Sequence, residues 1–219
     1  LFAGQSPFLR ATYRYTPFLA ALLLPCTLWP SAGKILFAIA DIVVAVLTFL
    51  VTRKQYSVRE KSENADASSQ GRDNFALACA ALWLFSPMTI NMSTRGSSDV
   101  LVIMFAQGCL YLLLEGRDSL AAACFGLAVH FKIYPIIYAP TFVLFLACES
   151  RDRPSRGRLL ARALTALLRP SSRVFRFAWT SAAVFLAVSS LAFVAYACLP
   201  LRCALLNLPR CCAAADTTT

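Results

Sequence analysis

Three short stretches of this sequence gather cations, hydroxyls and aromatic rings between long apolar runs. The first is Ser6-Pro7-Phe8-Leu9-Arg10-Ala11-Thr12-Tyr13-Arg14-Tyr15-Thr16-Pro17. Arg10 and Arg14 interleave with Tyr13 and Tyr15. An arginine presents a rigid fork of donors that matches a phosphate. The bland alternative is an interfacial aromatic belt with snorkelling arginines. The second is Ser86-Pro87-Met88-Thr89-Ile90-Asn91-Met92-Ser93-Thr94-Arg95-Gly96-Ser97-Ser98-Asp99. A plain turn between helices needs fewer polar groups. Thr94 and Arg95 are its binding candidates, and Asp99 is positioned to pair with Arg95 or to sit at the start of the next helix. The third is His130-Phe131-Lys132-Ile133-Tyr134-Pro135, with the sole histidine two positions from a lysine inside apolar sequence. His130, Lys132 and Tyr134 could meet a phosphate there, and a lysine snorkelling from a helix end is the alternative.

Asp41 is a fourth polar oddity, placed mid-way along an apolar run. It reads as a cavity-lining residue or a contact to a neighbouring helix, not as a catalytic acid. The residues alone thus describe cationic, hydroxyl-rich loops on an apolar scaffold. That suits an enzyme acting on an anionic lipid, and it also suits an anion or lipid transporter.

The scaffold itself is legible from composition. The chain is 58% hydrophobic and only 15% charged, with a mean hydropathy of +0.63. Soluble domains carry roughly 25% charged residues. Apolar runs fall at 32–52, 75–90, 100–114, 119–148 and 177–199, and the first and last have the length that crosses a bilayer core as a helix. The fold class is therefore an all-α, multispanning integral membrane protein. Membrane segments are expected near 32–52, 75–92, 99–114, 119–130, 135–148 and 177–199. Of the nine cysteines, several sit inside these runs and none forms a C-x-x-C pair, so small apolar packing accounts for them better than zinc or redox chemistry.

A formal charge of +10 would suit a nucleic-acid binder, but here the basic residues sort between apolar runs. Loop 53–73 and loop 149–176 hold most of them and are expected in the cytosol by the positive-inside rule. The opposite side keeps Arg10, Arg14, Lys34, Arg95 and Lys132. Two cytosolic loops require an even number of crossings between them, so 119–148 must make two, with a break near His130–Pro135. Residues 1–16 then form a luminal loop, 17–30 an interfacial or re-entrant helix, and 57–73 a disordered stretch. Residues 158–168 read as an amphipathic interfacial helix or a solvated linker helix. The chain opens Leu1-Phe2-Ala3-Gly4 without an initiator methionine, and 201–219 departs in composition from what precedes it. We expect a protein incomplete at both ends, with 1–200 as a partial domain and 201–219 as a divergent tail.

At the three polar stretches the sequence resembles a known family. The strings SPFLRATYRYTP, SPMTINMSTRGS and GLAVHFKIYPIIYAP closely resemble the PIG-M type catalytic subunits of GPI mannosyltransferase I, in that family's order, with the likeness covering about 4–200. The resemblance implies a multispanning glycosyltransferase of the lipid-linked-sugar (GT-C) type. It implies an endoplasmic reticulum membrane enzyme with its active side in the lumen, transferring the first mannose in α1,4 linkage. The donor would be dolichyl-phosphate-mannose and the acceptor glucosaminyl-phosphatidylinositol. A small accessory membrane subunit is implied as partner, and no nucleic acid. The alternatives are another dolichyl-phosphate-mannose-dependent mannosyltransferase or an anion or lipid transporter.

The chemistry suits the polar stretches. A phosphate leaving group gains negative charge as the glycosidic bond breaks, and preorganised cations stabilise it best where water is excluded. Arg10, Arg14, Tyr13, Tyr15, Thr94, Arg95, His130, Lys132 and Tyr134 are the binding candidates. The acceptor hydroxyl needs a base. The family carries an Asp-x-Asp motif upstream of its Ser-Pro-x-x-Arg string, and this chain contains none. Asp99 is the one acid in these stretches. It is the catalytic candidate, expected to orient Arg95 or the acceptor rather than replace the missing pair. No cofactor is established, a role for a divalent metal stays open, and no metal ligand is assigned. The chain alone is expected to be inactive.

Overall fold

A computed structural model describes residues 16–29, 31–63, 69–148 and 171–205. The described residues are helical, without a strand. The helices are α1 (Pro17–Leu22), α2 (Ala32–Glu63), α3 (Ser69–Leu84), α4 (Pro87–Arg95), α5 (Asp99–Leu114), α6 (Asp118–Phe131), α7 (Ala139–Cys148) and α8 (Ser172–Leu205). Short 3-10 turns fall at Leu24–Thr27 and Tyr134–Tyr138. The described residues fall into two compact units, one within Lys34–Phe185 and one drawn from those before Lys34 and after Phe185.

Proline and glycine set the breaks in the larger unit. Pro87 opens α4, and Ser86 before it is extended at φ −63°, ψ 130°, as the residue preceding a proline tends to be. The α3–α4 pair is accordingly bent by 47°. Pro135 cannot donate to Phe131, and its ring would clash with that carbonyl. Helix α6 ends at Phe131, and Lys132 is extended at φ −148°, ψ 142°. Gly96 closes α4 in the left-handed region at φ 68°. The Ser97 N–H bonds Met92 O and the Gly96 N–H bonds Ser93 O, both at 3.0 Å, which is the Schellman arrangement. A second such turn at Gly116 joins α5 to α6 as a hairpin.

Packing of the hairpin against α7 and the start of α8 makes the core. Cys109, Leu113, Ala121, Ala122, Phe125, Phe142, Leu146, Val174 and Phe177 are buried together. The Phe125 ring meets Phe142 edge-on at 5.4 Å and stacks on Phe177 at 6.0 Å, favoured aromatic geometries. At Gly126 the α6 backbone runs so close to α8 that an added Cβ would lie 2.6 Å from Ser181 O.

Elsewhere the apolar surface faces outward. Ile39, Ile42, Val43 and Val46 of α2, and Phe175 and Trp179 of α8, are exposed. Only 6% of the apolar window Ser172–Val194 is buried. In water such surface would be costly; against lipid it is not. Among the described residues two helices, at Ala32–Ser57 and Ser172–Val194, are long and apolar enough to cross a membrane, and a third span results if the bent α3–α4 pair counts as one. Helices α5 and α6, with 16 and 14 residues, span only about 24 and 21 Å and rely on neighbours for shielding. The protein is an all-helical membrane protein.

Three expectations are corrected. The 53–73 loop is largely helical: α2 runs on to Glu63 and α3 starts at Ser69. A helix nucleated in the membrane extends at little cost through Arg, Lys and Glu, all good helix formers. Arg53 Nε also forms an ion pair with Asp73 Oδ1 at 2.9 Å, linking the two helices. The stretch 17–30 is not one helix, since α1 ends at Leu22 and a 3-10 turn carries Pro25. The last helix begins at Ser172, inside the expected 149–176 loop, and runs to Leu205, past the expected boundary at 200. The expected helix at 158–168 lies outside the described residues, as do residues 206–219.

Candidate functional site

Charge sorts to the two ends of the larger unit. At one end Lys54 of α2 pairs with Glu115 at the close of α5, and the hydrogen bond from Lys54 holds the Glu115 carboxyl below its ordinary value. Arg173 Nε and Nη2 make a two-pronged contact to Asp118 Oδ2 and Oδ1 at 2.8 and 3.0 Å. Asp118 also lies in the first turn of α6, where the helix dipole favours an anion.

The opposite end holds the polar stretches of the sequence. Lys132, freed from helical geometry by the Pro135 break, pairs with Asp99 at the start of α5. Ser97 Oγ donates to Asp99 Oδ2 at 2.7 Å. The Asp99 N–H points back to Ser97 Oγ at 3.4 Å. The carboxylate is thus clamped from two sides by groups brought in by the Gly96 turn and the α6 break. The side chains of Lys132 and Asp99 keep 27% and 28% of their surface accessible, so the pair can be reached from outside. Phe105 stacks on Phe131 at 5.6 Å, fixing the end of α6 against α5 beside it.

Next to the pair lies a cavity of about 300 Å³ with mostly apolar walls, including Val102, Ala106, Leu110, Tyr134, Pro135 and Phe142. Tyr134 is therefore common to the third polar stretch and to the cavity. A cation–carboxylate pair whose near neighbours along the chain, Val102 and Tyr134, line an apolar cavity matches a ligand with a charged head and an apolar tail.

The other candidates are dispersed. Arg95 is exposed at the end of α4 and does not hold Asp99; Lys132 does, which corrects the expected Arg95–Asp99 pairing. The Gly96 reversal separates Arg95 from the start of α5, and the break after Phe131 delivers the lysine instead. Thr94 Oγ1 donates to Asn91 O at 3.1 Å. His130 is buried, with its ring edge-on to Phe131 and Phe185, so it faces aromatic packing rather than the Lys132 pair. Arg10, Tyr13, Arg14 and Tyr15 lie outside the described residues. Among the described residues, no three His, Cys, Asp or Glu side chains gather as a metal site. Asp41 fulfils both readings offered for it. It faces Ser93 of α4 and lines with it a cavity between α2 and α4.

Comparison with known proteins decides the kinship. The model of the mannosyltransferase (PIG-M) family matches residues 92–207, which contain Asp99, Lys132 and the cavity beside them. The chain belongs to the PIG-M mannosyltransferase family. The match runs past 200, so the first residues of the expected divergent tail belong to the family's pattern. Curated relatives agree with the PIG-M assignment. The chain is 43% identical to GPI mannosyltransferase 1 of Gibberella zeae over 143 residues, covering 65% of this chain and 31% of the relative. For GPI mannosyltransferase 1 of Aspergillus fumigatus the figures are 44% over 167 residues, covering 73% and 36%. For that of Saccharomyces cerevisiae they are 33% over 161 residues, covering 73% and 36%. The chain thus spans about a third of the length of these relatives. No solved structure matches it.

Proposed function

We propose that this chain forms the donor-phosphate side of a luminal mannosyltransferase site in the endoplasmic reticulum membrane. The reaction is transfer of the first mannose, in α1,4 linkage, from dolichyl-phosphate-mannose to glucosaminyl-phosphatidylinositol. The observation that carries the reading is the Lys132–Asp99 pair close to the apolar cavity that Val102 and Tyr134 help to line, on a chain of the PIG-M family.

In this reading the cavity takes the first part of the isoprenoid tail, and Lys132 meets the phosphate. As the bond from the anomeric carbon to the phosphate oxygen breaks, the phosphate gains negative charge. A cation already fixed in place stabilises that charge without reorganising. Asp99 is a positioning residue here, holding Lys132 rather than taking the acceptor proton. Arg95, Thr94, Arg10, Arg14, Tyr13 and Tyr15 complete the polar face on the luminal side, with Tyr134 bridging phosphate and tail. His130 serves this face indirectly, through packing at the end of α6. The cation-rich end with Lys54, Arg53 and Arg173 faces the cytosol. A small accessory membrane subunit is the expected partner.

The test is complementation. The full-length gene product should restore surface GPI-anchored protein in cells lacking the first GPI mannosyltransferase. Expression in that membrane without restoration would overturn the assignment.

A further inference from the structure

Asp41 is the most buried acid of the described residues, with 7% of its surface exposed. It sits in the apolar middle of α2, where an ionisable group is costly and commonly has a task. Its Oδ2 atom is buried and has no hydrogen-bond partner, and no described salt bridge reaches it. A buried acceptor left unsatisfied is unfavourable unless something arrives to fill it.

The space it faces is formed for a particular kind of visitor. A cavity of about 280 Å³ opens between α2 and α4, and Asp41, Thr89, Ser93 and Thr94 line it together with Ala38 and Ile42. Taking about 30 Å³ per water, that is room for on the order of nine waters, the scale of a sugar ring rather than of a lone ion. Its walls combine three hydroxyls and one carboxylate with the apolar side chains of Ala38, Ile42, Leu84 and Ile90. The carboxylate repels an anion and a purely apolar tail leaves it unpaired, whereas an amino sugar offers it an ammonium, gives the hydroxyls polar partners and sets the carbon face of its ring against the apolar walls. A lone carboxylate among hydroxyls also lacks the several charged oxygens that a divalent cation takes from protein.

We infer that the Asp41 cavity binds the amino sugar of the acceptor, with the Asp41 carboxylate taking the primary ammonium and Thr89, Ser93 and Thr94 taking ring hydroxyls. This rests on the proposed acceptor, glucosaminyl-phosphatidylinositol, and adds which group of it is read and by which residues. The consequence is selectivity: an acceptor whose amine is acylated has no charge for Asp41 and must bury an amide carbonyl against a carboxylate.

The experiment compares two synthetic lipids, glucosaminyl-phosphatidylinositol as substrate and its N-acetylated counterpart as competitor, using membranes containing the full-length gene product. In the unaltered protein the competitor's Ki should exceed the substrate's KM by about tenfold or more, as expected for loss of a charge-assisted hydrogen bond. Asp41→Asn should raise the KM for the amine acceptor about tenfold, leave the KM for the mannosyl donor unchanged, and bring Ki and KM together. Ser93→Ala keeps the carboxylate and should lower the ratio of Ki to KM in the same direction by a smaller factor. It also supplies the readout if Asp41→Asn protein does not accumulate. An unchanged ratio in accumulating Asp41→Asn protein, or in Ser93→Ala if that is the readable variant, would overturn the inference and leave Asp41 as a helix-packing residue. Absence of transfer to the amine acceptor by the unaltered protein would instead overturn the proposed function, and this inference with it.

Discussion

At the scale of single residues, Lys132 matters because of where its backbone lets it stand. The helix that would have turned its side chain into the packed interior stops one residue earlier, at Phe131. The ammonium then reaches Asp99, which Ser97 holds in turn. If Lys132 meets the leaving phosphate, Lys132→Met should lower kcat of the full-length gene product by about 100-fold, the scale reported for removing one preorganised donor. The KM for the acceptor should change little. Lys132→Arg should recover part of the loss, since it keeps the charge while changing its shape. Radiolabelled mannose transfer in membranes, normalised to protein level, is the measurement. Full activity in Lys132→Met would return the residue to a snorkelling role.

Helices and their crossings set the next scale. The α5–α6 hairpin is the central element, because its two ends carry the two kinds of charge. Lys54–Glu115 and Arg173–Asp118 lie at the Gly116 turn, and Lys132–Asp99 at the far end. Besides the Phe125–Phe177 stack and the Arg173–Asp118 pair, α6 and α8 meet closely at Gly126, where small residues let membrane helices approach. A methyl group there would lie 2.6 Å from Ser181 O, a backbone atom. Gly126→Ala should therefore destabilise the protein by roughly 1–3 kcal/mol, the usual cost of overpacking. A thermal melt in detergent should show it as a lowered Tm. An unchanged Tm would mean that α8 is not packed on α6 at this point. Gly116, with open space around its Cα, should tolerate alanine less for clash than for its positive φ of 73°.

At the largest scale, the governing fact is that the larger unit turns apolar surface outward while its described ion pairs gather at two ends. That is the arrangement a bilayer selects, since cations at the cytosolic ends of helices set orientation. Orientation can be read directly. A cysteine placed at Ile133, exposed beside the Lys132 break, should be labelled from the lumen by a membrane-impermeant thiol reagent. Labelling from the cytosol would invert the proposed topology and detach the polar face from a luminal reaction.

Much of this was legible in the residues themselves. Apolar run lengths and low charge specified a helical membrane protein, because a chain of this composition has no other place to put its surface. Three polar strings carried the family, and that family assignment stands. Contacts between distant segments were not legible. Pro135 marks a break, but that the break hands Lys132 to Asp99, and keeps Arg95 from it, depends on how α4, α5 and α6 cross. The helical run through 57–63 was hidden because composition reports solvation, while helix continuation depends on what is already nucleated. Asp41 showed only as an anomaly in the apolar run of α2. Its partner Ser93 and its cavity lie on α4, which a bend of 47° brings to it. Sequence determined which side chains were available and that they would sit in a membrane. Tertiary structure decided which of them met, because a pairing between helices is a property of their crossing and of neither helix alone.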